Sequence, residues 1–158
     1  MVIHVQAIKN LSPEDYLLIE KEHSRLRWFL SDLHDTCCNL GNQLGCQSCT
    51  TVKSASCRGR LPSFFHDLID LAGKHFYHEE SIMLGRPNVT EDYGYFRSHR
   101  QAHEKIMHEL HAIVVECASL TNQGNTAESY RQLYKRVLHL FEEHDRSFDD
   151  PFIQSTIT

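Results

Sequence analysis

The chain has 158 residues, a net charge of −5, 41% hydrophobic residues and 23% charged ones. That length suits one domain with a substantial core, and the acidic balance argues against a general nucleic-acid or membrane-surface role. Residues 1–10 lack a basic stretch followed by a long apolar run, and no window approaches the roughly 18 apolar residues that span a bilayer. The expectation is a single cytoplasmic domain over residues 1–158, with its core at about 12–150.

The first helix has a clear start. Ser12 can cap it, Pro13 suits the first turn, and Glu14 and Asp15 complement the positive end of the dipole. Its apolar stripe runs Ile19, His23, Leu26, Leu30, Leu33, in the alternating steps of a bundle helix. Residues 37–60 break that pattern. Cys37, Cys38, Gly41, Gly45, Cys46, Cys49, a Ser/Thr run and Cys57 read as an irregular insert. Roughly 20 residues is long for a connection in a compact bundle, and such a loop usually has a function or a cross-link of its own.

The second helix is expected to begin near Leu61 or Pro62. Its stripe is Leu61, Phe65, Leu68, Ala72, His75, Glu79, Ile82, and the step from Arg86 to Pro87 ends it. Thr90, Glu91 and Asp92 can open the third helix, which becomes regular after Gly94. Its stripe is Phe96, His99, His103, Ile106, Leu110, Ile113, Cys117, Leu120. The polar run at 122–125 is a turn. The fourth helix follows from about Thr126, with stripe Tyr130, Leu133, Val137, Leu140, His144, and Asp149 and Pro151 lie at or past its end. Short connections between the last three helices favour antiparallel neighbours. The expected fold is therefore all-α: an up-down-up-down antiparallel four-helix bundle with a Cys-rich insert between its first two helices.

Five of the 12 histidines fall in these stripes: His23, His75, His99, His103 and His144. Glu79 and Asp149 join them. His75 and Glu79 are four apart, as are His99 and His103, so each pair projects from one helix face. A metal-free core would face large desolvation costs for so many polar groups, whereas coordination satisfies them together. Five imidazoles and two carboxylates are too many for one ion. They suit two octahedral ions sharing carboxylates. Imidazole with carboxylate suits iron, whereas zinc would normally take fewer ligands in a closed tetrahedron. Histidines off the stripes, His78 among them, together with Glu80 and Asp145, take solvated or rim positions by default.

The sequence resembles the hemerythrin family over about residues 14–150. The matching segments are I-E-K-E-H-S-R-L around His23, H-F-Y-H-E-E from His75 to Glu80, H-R-Q-A-H from His99 to His103, and H-D-R-S-F-D from His144 to Asp149. The resemblance implies that His99, His103 and His144 bind one iron and His23 and His75 the other. Glu79 and Asp149 would bridge both, together with an oxo or hydroxo group. It also implies reversible binding of O2 at the second iron, within a four-helix bundle. The aspartate five residues after the last histidine separates this pattern from related di-iron repair proteins, which end in a glutamate four residues after a histidine. Two positions depart from the family. Asp145 stands where a bulky apolar residue usually follows the last histidine, and Leu140 where a tryptophan is common. Leu26 and Phe76 keep the apolar wall of the O2 pocket, with Leu140 and Asp145 as its other candidates. Asp145 either makes that pocket more polar, with faster iron oxidation, or faces solvent.

Cys38, Cys46, Cys49 and Cys57 form a C-x7-C-x2-C-x7-C pattern. A zinc site, a thiol/disulfide switch centred on Cys46 and Cys49, and plain reduced thiols are three readings of it. Cysteine-bearing inserts at this point resemble those of bacterial hemerythrin-like domains, some of them sensory. Cys117 reads as a small core residue. The expected function is O2 binding at a non-haem di-iron centre, for oxygen or redox sensing or for carriage. A sensor would need a signalling partner or a further C-terminal output domain. The alternative is a di-iron oxidase or peroxidase acting on peroxide or nitric oxide.

Overall fold

A computed structural model describes residues 12–36, 49–123 and 127–149. Four α-helices make up nearly all of it: α1 (Pro13–Thr36), α2 (Thr51–Leu84), α3 (Gly94–Gln123) and α4 (Ala127–His144). The last runs directly into a π-helical turn, Asp145–Asp149. No strand occurs among the described residues.

α1 begins where its cap dictates. The Ser12 hydroxyl accepts the Asp15 N–H at 3.1 Å, and the Ser12 carbonyl accepts the Tyr16 N–H at 3.0 Å. The first bond engages one of the amide groups that a helix start leaves unsatisfied, and the second is the first regular bond of the helix. At the start of α3, the Tyr93 carbonyl accepts the Arg97 N–H at 3.0 Å, so the regular helix begins at Gly94 itself.

α2 corrects one expectation. It starts at Thr51, not near Leu61 or Pro62, and spans 34 residues. Pro62 thus sits inside the helix, where its nitrogen cannot donate to the carbonyl one turn back. The loss is local, and the buried face formed by Phe65, Leu68, Ala72 and His75 anchors the remainder. Residues 51–60 of the expected irregular insert are therefore helical. Cys57 lies on the α2 backbone, and Cys49 is half-buried just ahead of it. Cys38 and Cys46 lie outside the described residues, as does the side chain of Cys57.

Contacts between α1 and α2, and between α2 and α3, run in opposite directions. Along α1 and α2, Asp15 meets Arg86, Glu22 meets His75, and Phe29 meets Phe64. Along α2 and α3, Phe76 meets His103 and Glu80 lies near Arg100. Among the described residues the core has two parts. The larger contains Leu26, Leu30, Phe65, Leu68, Leu110 and Val137 among others. The smaller holds Ile19, Met83, Val89, Tyr95 and Phe96. Each fully buried side chain of this size stabilises the fold by about 1.5–3 kcal/mol. Phe76, from the larger part, stacks on His103 with ring centres 4.0 Å apart. Phe148, packed against the smaller part, stacks on His99 at 5.1 Å. The histidines thus lie between two apolar layers.

Candidate metal centre

Glu79 organises the site. It is fully buried, one turn beyond His75 on the core face of α2. Its Oε1 lies 3.1 Å from His75 Nε2 and 3.5 Å from His23 Nε2. Its Oε2 lies 3.1 Å from His103 Nε2 and 3.5 Å from His99 Nε2. His144, the last residue of α4, completes the second group, with its Nε2 3.1 Å from that of His103 and 3.3 Å from that of His99. Two clusters of donor atoms result: His23, His75 and Glu79, and Glu79, His99, His103 and His144. All six residues are buried, with exposures from 0 to 7%.

This donor set fits metal ions. Neighbouring ligands held about 2.1 Å from one ion lie about 3 Å apart at right angles, close to the nitrogen spacings in the larger cluster. His75 Nε2 and Glu79 Oε1 are enclosed and make no hydrogen bond. Buried polar atoms in that state are rare unless something else satisfies them.

A ring of outer groups holds the inner ones. Glu22 on α1 accepts a hydrogen bond from His75 Nδ1 at 2.7 Å and another, short one from His78 Nδ1. Glu80 accepts from His103 Nδ1 at 2.8 Å. Glu80 and His78 lie at the rim, one of the two positions expected of them, with 22% and 40% of their side chains exposed, and Glu22 was not singled out by the sequence. Its only signal there is its place beside His23, off the apolar stripe.

The π-turn adds a further element. The Tyr95 hydroxyl donates to the Phe148 carbonyl at 2.8 Å, tying the turn to the start of α3. A π-helix joins each residue to the one five further on. Residue 149 therefore returns to the helix face that carries His144. The side chain of Asp149 lies outside the described residues.

A cavity of about 30 Å³ adjoins His23, lined by Leu26, Arg27, Leu30, Phe141 and Asp145. Asp145 is half-buried in this wall. Phe76 is buried behind the site, with its ring centre 6.5 Å from that of Phe141. Leu140 lines a different recess of about 130 Å³, beside His144 and Phe148. Phe141, not Leu140, stands next to the His23 cavity.

A family model, the hemerythrin HHE cation binding domain, matches residues 15–152. The chain belongs to the hemerythrin family. No curated protein and no solved structure matches it. With the buried histidine–glutamate cluster, membership marks a metal-binding protein and points to iron. None of this hemerythrin's described helices is long and apolar enough to cross a membrane.

The electrostatics of this hemerythrin favour charged ligands even before a metal arrives. Burial pulls the His75 pKa down, but the Glu79 charge and the hydrogen bond to Glu22 outweigh it and raise it to about 9. Burial pushes Glu79 up, yet His75, His103 and His23 hold it well below the usual carboxylate range. Glu22 follows the same logic, lowered against burial by His75 and His78. In the metal-free chain Glu79 is an anion facing imidazoles, the arrangement a cation would enter.

Proposed function

We propose that this hemerythrin domain is a non-haem di-iron protein that binds O2 beside His23 and His75, as an oxygen or redox sensor or carrier. The observation that carries the reading is Glu79, whose two oxygens each face a separate histidine group. His99, His103 and His144 would hold one iron, and His23 and His75 the other. Glu79 and Asp149 would bridge them, with an oxo or hydroxo group between. The bundle would be up-down-up-down, in a cytoplasmic setting.

Iron, when bound in its reduced form, would supply the electrons that O2 binding requires. The chain's residues do the rest. The His23–His75 group has one imidazole fewer, which leaves room for a ligand on that side, and the 30 Å³ cavity lies there. That volume suits a molecule of two heavy atoms. Leu26, Leu30 and Phe141 limit access of water, and Phe76 fixes the ring of His103 by stacking.

Asp145 favours a second reading. A carboxylate in the wall of the ligand cavity can hold or deliver a proton, which suits an oxidase or peroxidase turning over peroxide or nitric oxide. Cys38, Cys46, Cys49 and Cys57 would add a zinc site or a thiol switch, with output through a partner protein or a further domain.

The deciding experiment measures iron content and the optical spectrum of protein reduced without air and then exposed to O2. Two irons per chain, with a visible band that appears with O2 and fades when O2 is removed, is the expected outcome. Two irons with immediate, irreversible oxidation would replace O2 binding by redox sensing or by the enzymatic reading.

A further inference from the structure

We propose that Glu22 is a positioning residue for one of the two metal ions, acting through His75; this rests on the di-iron reading above. Glu22 stands next to His23 on α1, and its side chain is 14% exposed. Its two oxygens are used separately. One is 2.7 Å from His75 Nδ1, and the other takes the hydrogen bond from His78 Nδ1. His75 and His78 are three residues apart on α2, so one carboxylate spans two rings of the same helix face.

The His75 ring is thereby held at both ends. Nδ1 points outward to Glu22, and Nε2 points inward, 3.1 Å from Glu79 Oε1. An ionised carboxylate only accepts hydrogen bonds, so Nδ1 must carry a proton. The nitrogen left to offer a lone pair is Nε2, the one that faces Glu79. The negative charge behind the ring also makes it a stronger donor to a cation. His78, with 40% of its side chain exposed, holds the second oxygen and keeps Glu22 from turning to solvent.

The other histidine group has its own version. Glu80 accepts from His103 Nδ1 at 2.8 Å, and Arg100 Nε lies 3.9 Å from its second oxygen. Each oxygen of Glu79 therefore faces one ring backed by an outer carboxylate, and the two carboxylates come from different helices. Glu22 acts on the His23–His75 ion alone.

The test titrates the metal-free full chain with Fe(II) under anaerobic conditions. Glu22→Gln keeps the shape and can still accept from Nδ1, but it removes the charge. It should weaken one of two bound irons by about 10–100-fold and leave the other unchanged. Glu80→Gln should weaken the other iron instead. In the Fe(II)-loaded protein, proton NMR should show one metal-shifted imidazole N–H signal moving and exchanging faster with solvent in Glu22→Gln, and a different one in Glu80→Gln. His78→Ala should move the same signal as Glu22→Gln, by a smaller amount. Unchanged affinity and unchanged N–H signals in Glu22→Gln would overturn the proposal, leaving Glu22 as a tie between α1 and α2. Equal weakening of both irons would overturn it too, because a general loss of structure acts on both. Wild-type protein that binds fewer than two irons would instead overturn the di-iron reading itself, and the proposal with it.

Discussion

At the residue scale the site depends on one carboxylate. Among the described side chains Glu79 alone contacts both histidine groups, so Glu79→Ala should reduce bound iron from two per chain toward one or none, as metal analysis would show. Retention of both irons would mean the two groups assemble without it. Asp145 controls a different property. With Asp145→Ile the cavity beside His23 loses its carboxylate, and oxidation of the reduced iron in air should slow severalfold by stopped-flow absorbance. An unchanged rate would place the carboxylate's influence outside the cavity. The inner histidines and Glu79 were legible in the sequence because each interrupts an apolar stripe at a helical step, where a polar residue needs a reason. Glu22 and Glu80 were not, because they sit one position from an inner residue, on the flank of the stripe. There a carboxylate that grips a buried imidazole looks the same as one in water.

At the element scale the stripes located most of the buried faces. Every described stripe residue of α1 and α3 is buried. In α4 the stripe follows Phe141 where spacing pointed to Leu140, because steps of three and four both keep to one face and only packing chooses between them. Proline misled on α2. Pro62 reads as a helix start by its own preference, yet the helix continues through it because the packing of later residues outweighs one missing bond. The π-turn was also illegible, since no composition rule marks it. Its anchor can be tested. Tyr95→Phe removes the bond to the Phe148 carbonyl and should cost about 1 kcal/mol, the usual net worth of such a bond. Denaturant unfolding measures the loss. If the turn positions a ligand, the variant should also lose iron to a chelator faster than wild type, and equal loss rates would make Tyr95 purely structural.

At the scale of the whole molecule, the buried charges tie folding to both pH and metal. In the metal-free chain His75 has its pKa raised from 6.5 to about 9. A raised histidine binds its proton more tightly in the folded state, so its stabilising contribution is complete below about 6.5 and is lost as pH climbs to about 9. Glu22 and Glu79 are lowered from 4.5, so theirs is present above that value and disappears on acidification. The metal-free protein should therefore be most stable at mildly acidic to neutral pH, with losses on both sides. Metal changes the alkaline side. An ion on His75 Nε2 takes the place of the proton there, so that nitrogen has none left for alkaline pH to remove. Thermal midpoints measured from pH 6 to 9.5 should fall for chelator-treated protein and stay nearly level for iron-loaded protein, with the loaded form higher throughout because the ion binds only the folded chain. Parallel declines in the two forms would show that the alkaline loss arises elsewhere and that His75 is not among the residues the metal engages.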